Sequence, residues 1–167
     1  MNVKTTTPEK VLVMGIGNSL LTDDGVGVHV SNALAALAQQ GAIDQPVHII
    51  DGGTIGLSLL SEINPQSPLI AIDAMQLHAA PGTVRVFVGE DMDSQLRGTK
   101  RTAHEVALAD LMQAAQLSGF GPERRALVAI QPDNTTWGLS PTPAVQAAIP
   151  IAVQSVLTLM EGWRDAR

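Results

Sequence analysis

Short apolar runs alternate with longer amphipathic stretches along the chain. The runs are rich in β-branched residues and end at glycine, proline or polar positions, which is typical of strands. Four of them predict strands of a parallel sheet: "KVLVMGIG" (10–17), "PVHIID" (46–51), "PLIAID" (68–73) and "RALVAIQ" (125–131). A fifth run, "TVRVFV" (83–88), alternates three valines with Arg85 and Phe87 and predicts a strand near a sheet edge.

The first amphipathic stretch predicts a helix between the first two strands. Its apolar residues recur at helical spacing from Asp24 to about Gln40. Thr22 or Asp23 is expected to cap its N-terminus, and Gly41 fits the position after its last turn.

Three further helices are predicted along the chain. A short one is expected from about Ile55 to Ile63, and residues 102–117 form a longer one that opens with the capping box of Thr102 and Glu105. Between the edge strand and this helix, residues 89–101 are polar and are expected to form a loop.

The last helix is expected to follow Ser140, with Pro141 at its first position and Pro150 kinking or splitting it. Its predicted apolar face comprises Val145, Ile149, Val153, Val156 and Met160. Strands that alternate with helices predict an α/β fold: a three-layer sandwich with a five-stranded, mostly parallel twisted sheet and helices on both faces. We expect a single domain over residues 1–167, with a flexible polar start at residues 1–9.

Composition narrows the class of protein. The 167 residues are 45% hydrophobic and 16% charged, which is typical of a globular chain. A net charge of −6, no Tyr and two Phe argue against a nucleic-acid binder. With no Cys, disulfides and thiolate metal sites of the chain's own are excluded. The polar N-terminus and the prolines in the uncharged stretch 134–160 favour a cytoplasmic protein without a membrane span.

The glycine turn after the first strand resembles a phosphate-binding turn only in part. Gly15 and Gly17 are present, but the third glycine of G-x-G-x-x-G is replaced by Leu20. Asp23 and Asp24 then occupy the electropositive helix start that a pyrophosphate would need. A nucleotide site is therefore the weaker alternative.

Three polar residues are expected at the carboxyl edge of the sheet, where α/β proteins place their sites. Asp24 opens the first helix, Asp73 ends the third strand, and His104 lies in what should be an exposed first turn. Each alone fits a cap, a turn or a surface position. Together, two carboxylates and one imidazole make a three-ligand set for a divalent ion. The helix N-terminus should keep the imidazole of His104 neutral and able to ligate.

Other polar residues are weaker candidates. We expect the remaining histidines to be structural or solvated: His29, His48 and His78. Asp51 is expected to support a turn. The hydroxyls of Ser19 and Thr54 are expected to lack the neighbouring base that a nucleophile needs.

Six segments in the same order resemble the hydrogenase maturation endopeptidases: "GIGNSLLTDDGVGVHV", "IIDGGTIGLSLL", "LIAIDAM", "APGTVRV", "AHEVALADLM" and "AIQPD". The resemblance extends from about Val11 to Trp163. It implies an enzyme that removes the C-terminal extension of the large-subunit precursor of a [NiFe]-hydrogenase.

The resemblance also implies roles for the three residues. Asp24, Asp73 and His104 match the family's metal ligands, and the resemblance implies that the ion is nickel already loaded into the precursor, with other divalent ions able to substitute. Water would be activated by Asp24 or Asp73 as general base, or by the ion itself. A monomer acting on the precursor is expected. The alternatives are a nickel-binding maturation chaperone without peptidase activity and a nucleotide-binding α/β protein.

Overall fold

Five strands form one sheet at the centre of the protein. The computed structural model describes residues 9–53, 57–98 and 102–166. The strands are β1 (Val11–Ile16), β2 (Val47–Gly53), β3 (Leu69–Ala74), β4 (Val84–Val88) and β5 (Arg125–Ile130). Their spatial order is β2-β1-β3-β5-β4. The first four in this order are parallel, and β4 runs antiparallel to β5 at the edge.

Helices cover both faces of the sheet. α1 (Val26–Gln39) and α4 (Pro143–Asp165) pack against one face, and α2 (Glu90–Leu96) and α3 (Ala103–Leu117) against the other. Every residue of β1 and β3 is buried, because these central strands have a helical layer on each side. The predicted three-layer α/β fold is confirmed.

Residues 90–96 correct the prediction of a continuous loop at 89–101. They form α2, which buries Met92 and Leu96 beneath an acidic exposed face. Residues 99–101 lie outside the described residues. So do residues 1–8 of the predicted flexible start, whereas Glu9 lies 3.5 Å from Arg124.

Two other elements differ in detail. The helix predicted at 55–63 is a 3₁₀ turn over Leu57–Glu62, and residues 54–56 lie outside the described residues. On β4, the outermost strand, Val86 and Val88 are exposed while Phe87 packs against the core on the side of α2 and α3.

α4 begins two residues later than predicted and is not split. Its N-cap is Thr142 and its first residue is Pro143, rather than Ser140 and Pro141. Pro150 has no amide N–H, so the carbonyl of Gln146 lacks its usual helical partner. Both residues are exposed, and water can donate to this carbonyl instead. The fully buried positions are Val145, Ala148, Ala152, Val156 and Met160, with Ile149 and Val153 partly buried.

Among the described residues, α4 alone is long and apolar enough by length and composition to cross a membrane. Core helices of soluble proteins pass the same test. The buried positions of α4 pack against the sheet in the same layer as α1. The expectation that residues 134–160 do not span a membrane stays a prediction.

Candidate active site

The loop between β1 and α1 directs Asp24 toward the carboxyl edge of the sheet. Gly17 has a φ of 132°, and a Cβ added there would lie 1.9 Å from the carbonyl oxygen of Asp24. The chain can fold this tightly only with glycine at that position. The amide of Asn18 donates to Asp24 Oδ2 over 3.0 Å, which fixes the carboxylate.

Asp23 has a different role from the N-cap that the sequence predicts. α1 follows a 3₁₀ turn over Thr22–Gly25 and has no side-chain cap. Asp23 is fully buried and accepts hydrogen bonds from the amides of Asp133 (2.9 Å), Asn134 (2.9 Å) and Thr142 (2.7 Å) and from the Thr142 hydroxyl. It therefore fastens the β1–α1 loop to the loop that leads into α4.

Asp73 and His104 reach the same edge from two other elements. Asp73 is the penultimate residue of β3, and His104 is the second residue of α3, whose capping box of Thr102 and Glu105 is confirmed. His104 Nε2 donates to Asp24 Oδ2 over 2.9 Å. The predicted exposed turn is thus wrong for His104, because this hydrogen bond draws its imidazole into the site and leaves 13% of the side chain exposed.

Asp73 is the most deeply buried acid of the three site residues. Its exposed fraction is 0%, and neither carboxylate oxygen has a hydrogen-bond partner in the described part of the chain. Burial raises the pKa of Asp73 well above its usual range. The positive charge of His104 opposes this rise, and the negative charges of Glu105 and Asp24 add to it.

Asp24 and His104 are joined by a hydrogen bond, and their pKa values shift in opposite directions. Burial acts to raise the pKa of Asp24, but the hydrogen bonds from His104 and Asn18 outweigh it, so the pKa is lowered. The hydrogen bond to Asp24 raises the pKa of His104, and the nearby carboxylates of Asp73 and Glu105 contribute in the same direction. This direction is opposite to the one that the helix N-terminus alone would give, since the nearby carboxylates act on His104 more strongly than the helix dipole.

The donor set suits a divalent cation. An unpartnered buried carboxylate next to a carboxylate–imidazole pair supplies O and N ligands where a positive charge would relieve repulsion. No group of three His, Asp or Glu side chains within residues 9–53, 57–98 and 102–166 is already arranged around one ion position. Shared coordination by Asp24, Asp73 and His104 stays a prediction.

None of the hydrogen bonds and ion pairs seen in the described residues joins a weaker candidate to Asp24, Asp73 or His104. Asp51 accepts from the amide of Gly53 over 2.8 Å, and exposed His48 lies 3.7 Å from Glu62. His29 is mostly buried and His78 is exposed. Ser19 is exposed. Thr54 lies outside the described residues.

Comparison with known proteins identifies the family. A model of the hydrogenase maturation protease family matches residues 28–159. The chain belongs to this family. The hydrogenase 2 maturation protease of Escherichia coli strain K12 is 34% identical over 152 residues, 90% of each protein. The HupD hydrogenase expression/formation protein of Rhizobium leguminosarum bv. viciae is 33% identical over 92% of this chain and 75% of its own length.

The fold supports the same assignment. The solved structure of the E. coli maturating endopeptidase HybD superimposes with a TM-score of 0.80 at 31% identity, covering 92% of this chain and 93% of that one. The protein is thus a hydrolase of peptide bonds that serves hydrogenase maturation. The nucleotide-binding alternative does not hold.

Proposed function

We propose that this protease removes the C-terminal extension of a [NiFe]-hydrogenase large-subunit precursor and recognises the nickel already bound there. The observation that carries the proposal is the carboxylate of Asp73, which is fully buried, unpartnered in the described residues and close to the Asp24–His104 pair. A buried carboxyl group without hydrogen bonds destabilises a fold, and burial favours its protonated form as long as no cation is near. Substrate-borne nickel would favour the charged carboxylate and give it the partner that it lacks.

The absence of Cys from the chain agrees with a nickel ion that the precursor, and not the protease, holds by thiolates. Thiolates bind nickel well, and in this proposal they belong to the precursor, while the protease adds O and N ligands from Asp24, Asp73 and His104. A precursor without the ion would lack these contacts. Nickel would therefore act as the sign that metal insertion is complete.

For the hydrolytic step, Asp24 is the more accessible of the two candidate bases. Its exposed fraction is 6% and that of Asp73 is 0%, so water reaches Asp24 more readily. As general base, Asp24 would accept a proton from the water that attacks the peptide carbonyl. Polarisation of that water by the ion is the alternative.

The decisive experiment incubates the protein with nickel-loaded and nickel-free precursor and weighs the products by mass spectrometry. Loss of the extension from the loaded form alone is the expected result. Equal cleavage of both forms would refute nickel recognition but keep the protease. Binding without cleavage would favour the alternative of a nickel-binding chaperone.

His104→Ala tests the site directly. Cleavage of loaded precursor should fall at least tenfold, and the loss of a charge-assisted hydrogen bond should cost about 1.5–3 kcal/mol of stability. The matched control is His48→Ala, which changes an exposed histidine whose Nδ1 lies 3.7 Å from Glu62. Unchanged cleavage by folded His104→Ala protein would show that His104 is not part of the working site.

The cytoplasmic location and the monomeric state of the protein remain predictions.

A further inference from the structure

Three large apolar side chains are exposed beside the active site. Leu20 is 47%, Trp137 79% and Leu139 74% exposed. We call these three residues the apolar rim. Single exposed leucines are ordinary, but a tryptophan and two leucines exposed on paired loops form a candidate contact surface.

Backbone pairing joins the two loops that carry the rim. Leu21 and Gly138 form a parallel bridge, in which the Gly138 amide donates to the Leu20 carbonyl (2.9 Å) and the Thr22 amide to the Gly138 carbonyl (2.9 Å). The register of this bridge places Leu20 beside Trp137. Immediately below, the buried carboxylate of Asp23 holds the same two loops together. The rim is therefore preorganised, which lowers the entropic cost of binding.

The rim is continuous with the site. The amide of Leu20 donates to the side chain of Asn18 over 3.0 Å, and the amide of Asn18 donates to Asp24 Oδ2 over 3.0 Å. Two hydrogen bonds thus connect a rim residue with the carboxylate that pairs with His104. The loop that carries Leu20 therefore lies within reach of a polypeptide bound at Asp24.

The chemistry of this surface favours an apolar peptide. Residues 17–22 and 134–142 contain no charged side chain, although the chain as a whole carries a net charge of −6. Without cations, the rim offers nothing to phosphates of nucleic acids or lipid headgroups. Tryptophan and leucine side chains instead gain free energy by covering apolar surface of a partner.

We propose that the apolar rim docks apolar side chains of the hydrogenase large-subunit precursor in the segment next to the bond that is cut. This inference rests on the proposed function and extends it, because it assigns a recognition surface that does not depend on nickel. Metal contacts would report the loaded state of the precursor, and the rim would hold its chain in place for cleavage.

The test compares steady-state cleavage of nickel-loaded precursor by Trp137→Ala, Leu139→Ser and Leu117→Ser. Leu117 is 81% exposed at the far end of α3, so it matches Leu139 in chemistry and exposure. Both rim variants should raise KM, by about tenfold for Trp137→Ala, with kcat within about twofold. Leu117→Ser should match the unmodified protein.

A photo-crosslinking residue gives a readout independent of turnover. Leu139→p-benzoylphenylalanine should crosslink to the precursor beside the cut bond, whereas Leu117→p-benzoylphenylalanine should not. Unchanged KM in both rim variants, together with no excess crosslinking from position 139, would overturn the inference while the protease activity stood. Crosslinks between two copies of this chain would also overturn it. If the unmodified protein cut no precursor, the proposed function would fail, and the precursor as occupant of the rim would fail with it.

Discussion

Asp23→Ala should be among the most destabilising substitutions of an acid in this protein, although Asp23 makes no direct contact with Asp73 or His104. The carboxylate is fully buried and accepts three backbone amides and one hydroxyl from a loop more than 100 residues further along the chain. These hydrogen bonds lower the pKa of Asp23 although burial acts to raise it. The folded state therefore favours the charged carboxylate.

The expected magnitude follows from the donors that the substitution leaves without an acceptor. Each unsatisfied buried donor costs about 1–3 kcal/mol. Water can enter the space of the deleted carboxylate, so the lower end of that range applies. Four donors at about 1 kcal/mol each give a loss of about 4 kcal/mol, which is unusually large for a single substitution.

Urea unfolding at pH 7 measures this loss as a lower midpoint at an unchanged slope. Asp110→Ala is the matched control, because Asp110 is exposed on α3, and its effect should stay within about 0.5 kcal/mol. Asp23→Asn, which keeps one acceptor oxygen, should fall between the two. A loss below about 1 kcal/mol for Asp23→Ala would show that the two loops hold together without this carboxylate.

Two further predictions concern stability. A Cβ at Gly27 would lie 2.2 Å from the carbonyl oxygen of Ile72, so Gly27→Ala should cost about 3 kcal/mol in urea unfolding, whereas Gly162→Ala, with open space around it, should stabilise by about 0.5–1 kcal/mol. Equal effects would contradict the close packing of α1. The hydrogen bonds from Arg125 lower the pKa of Asp93 in the folded protein. The pair therefore stabilises the fold fully above the usual carboxyl pKa of about 4. This stabilisation is lost as the pH falls toward the lowered pKa of Asp93 and the carboxylate is protonated. The stability difference between the unmodified protein and Asp93→Asn should therefore shrink from pH 7 to pH 3, and a constant difference would refute this.

The elements that could be predicted are those whose burial requires a long run or a regular pattern of apolar residues. β1 and β3 are apolar at nearly every position because helices cover both of their faces. α2 has almost no apolar pattern in the sequence, because only Met92 and Leu96 of its seven residues are buried and the others are acidic or polar. Two apolar positions do not establish a helical period, so the sequence of this segment favours a loop.

At the site, the location of the three residues could be predicted, but their interactions could not. The rule that functional residues gather at the carboxyl ends of parallel strands selects Asp24, Asp73 and His104. The charge on His104 depends on distances to several carboxylates, and helix-dipole reasoning included none of them. The partners of Asp23 likewise lie in a loop that no local pattern connects with it.

The adjacent acids of the β1–α1 loop and the acid at the end of β3 show why the structure adds information about function. Asp23 and Asp73 both have an exposed fraction of 0%, but their surroundings differ. The carboxylate of Asp23 accepts hydrogen bonds at both oxygens, so contacts within the fold are enough to offset the cost of burying it. Asp73 has no such partner in the described residues, so the fold does not explain its burial. A cation brought by the substrate is the explanation that also accounts for the Asp24–His104 pair beside it.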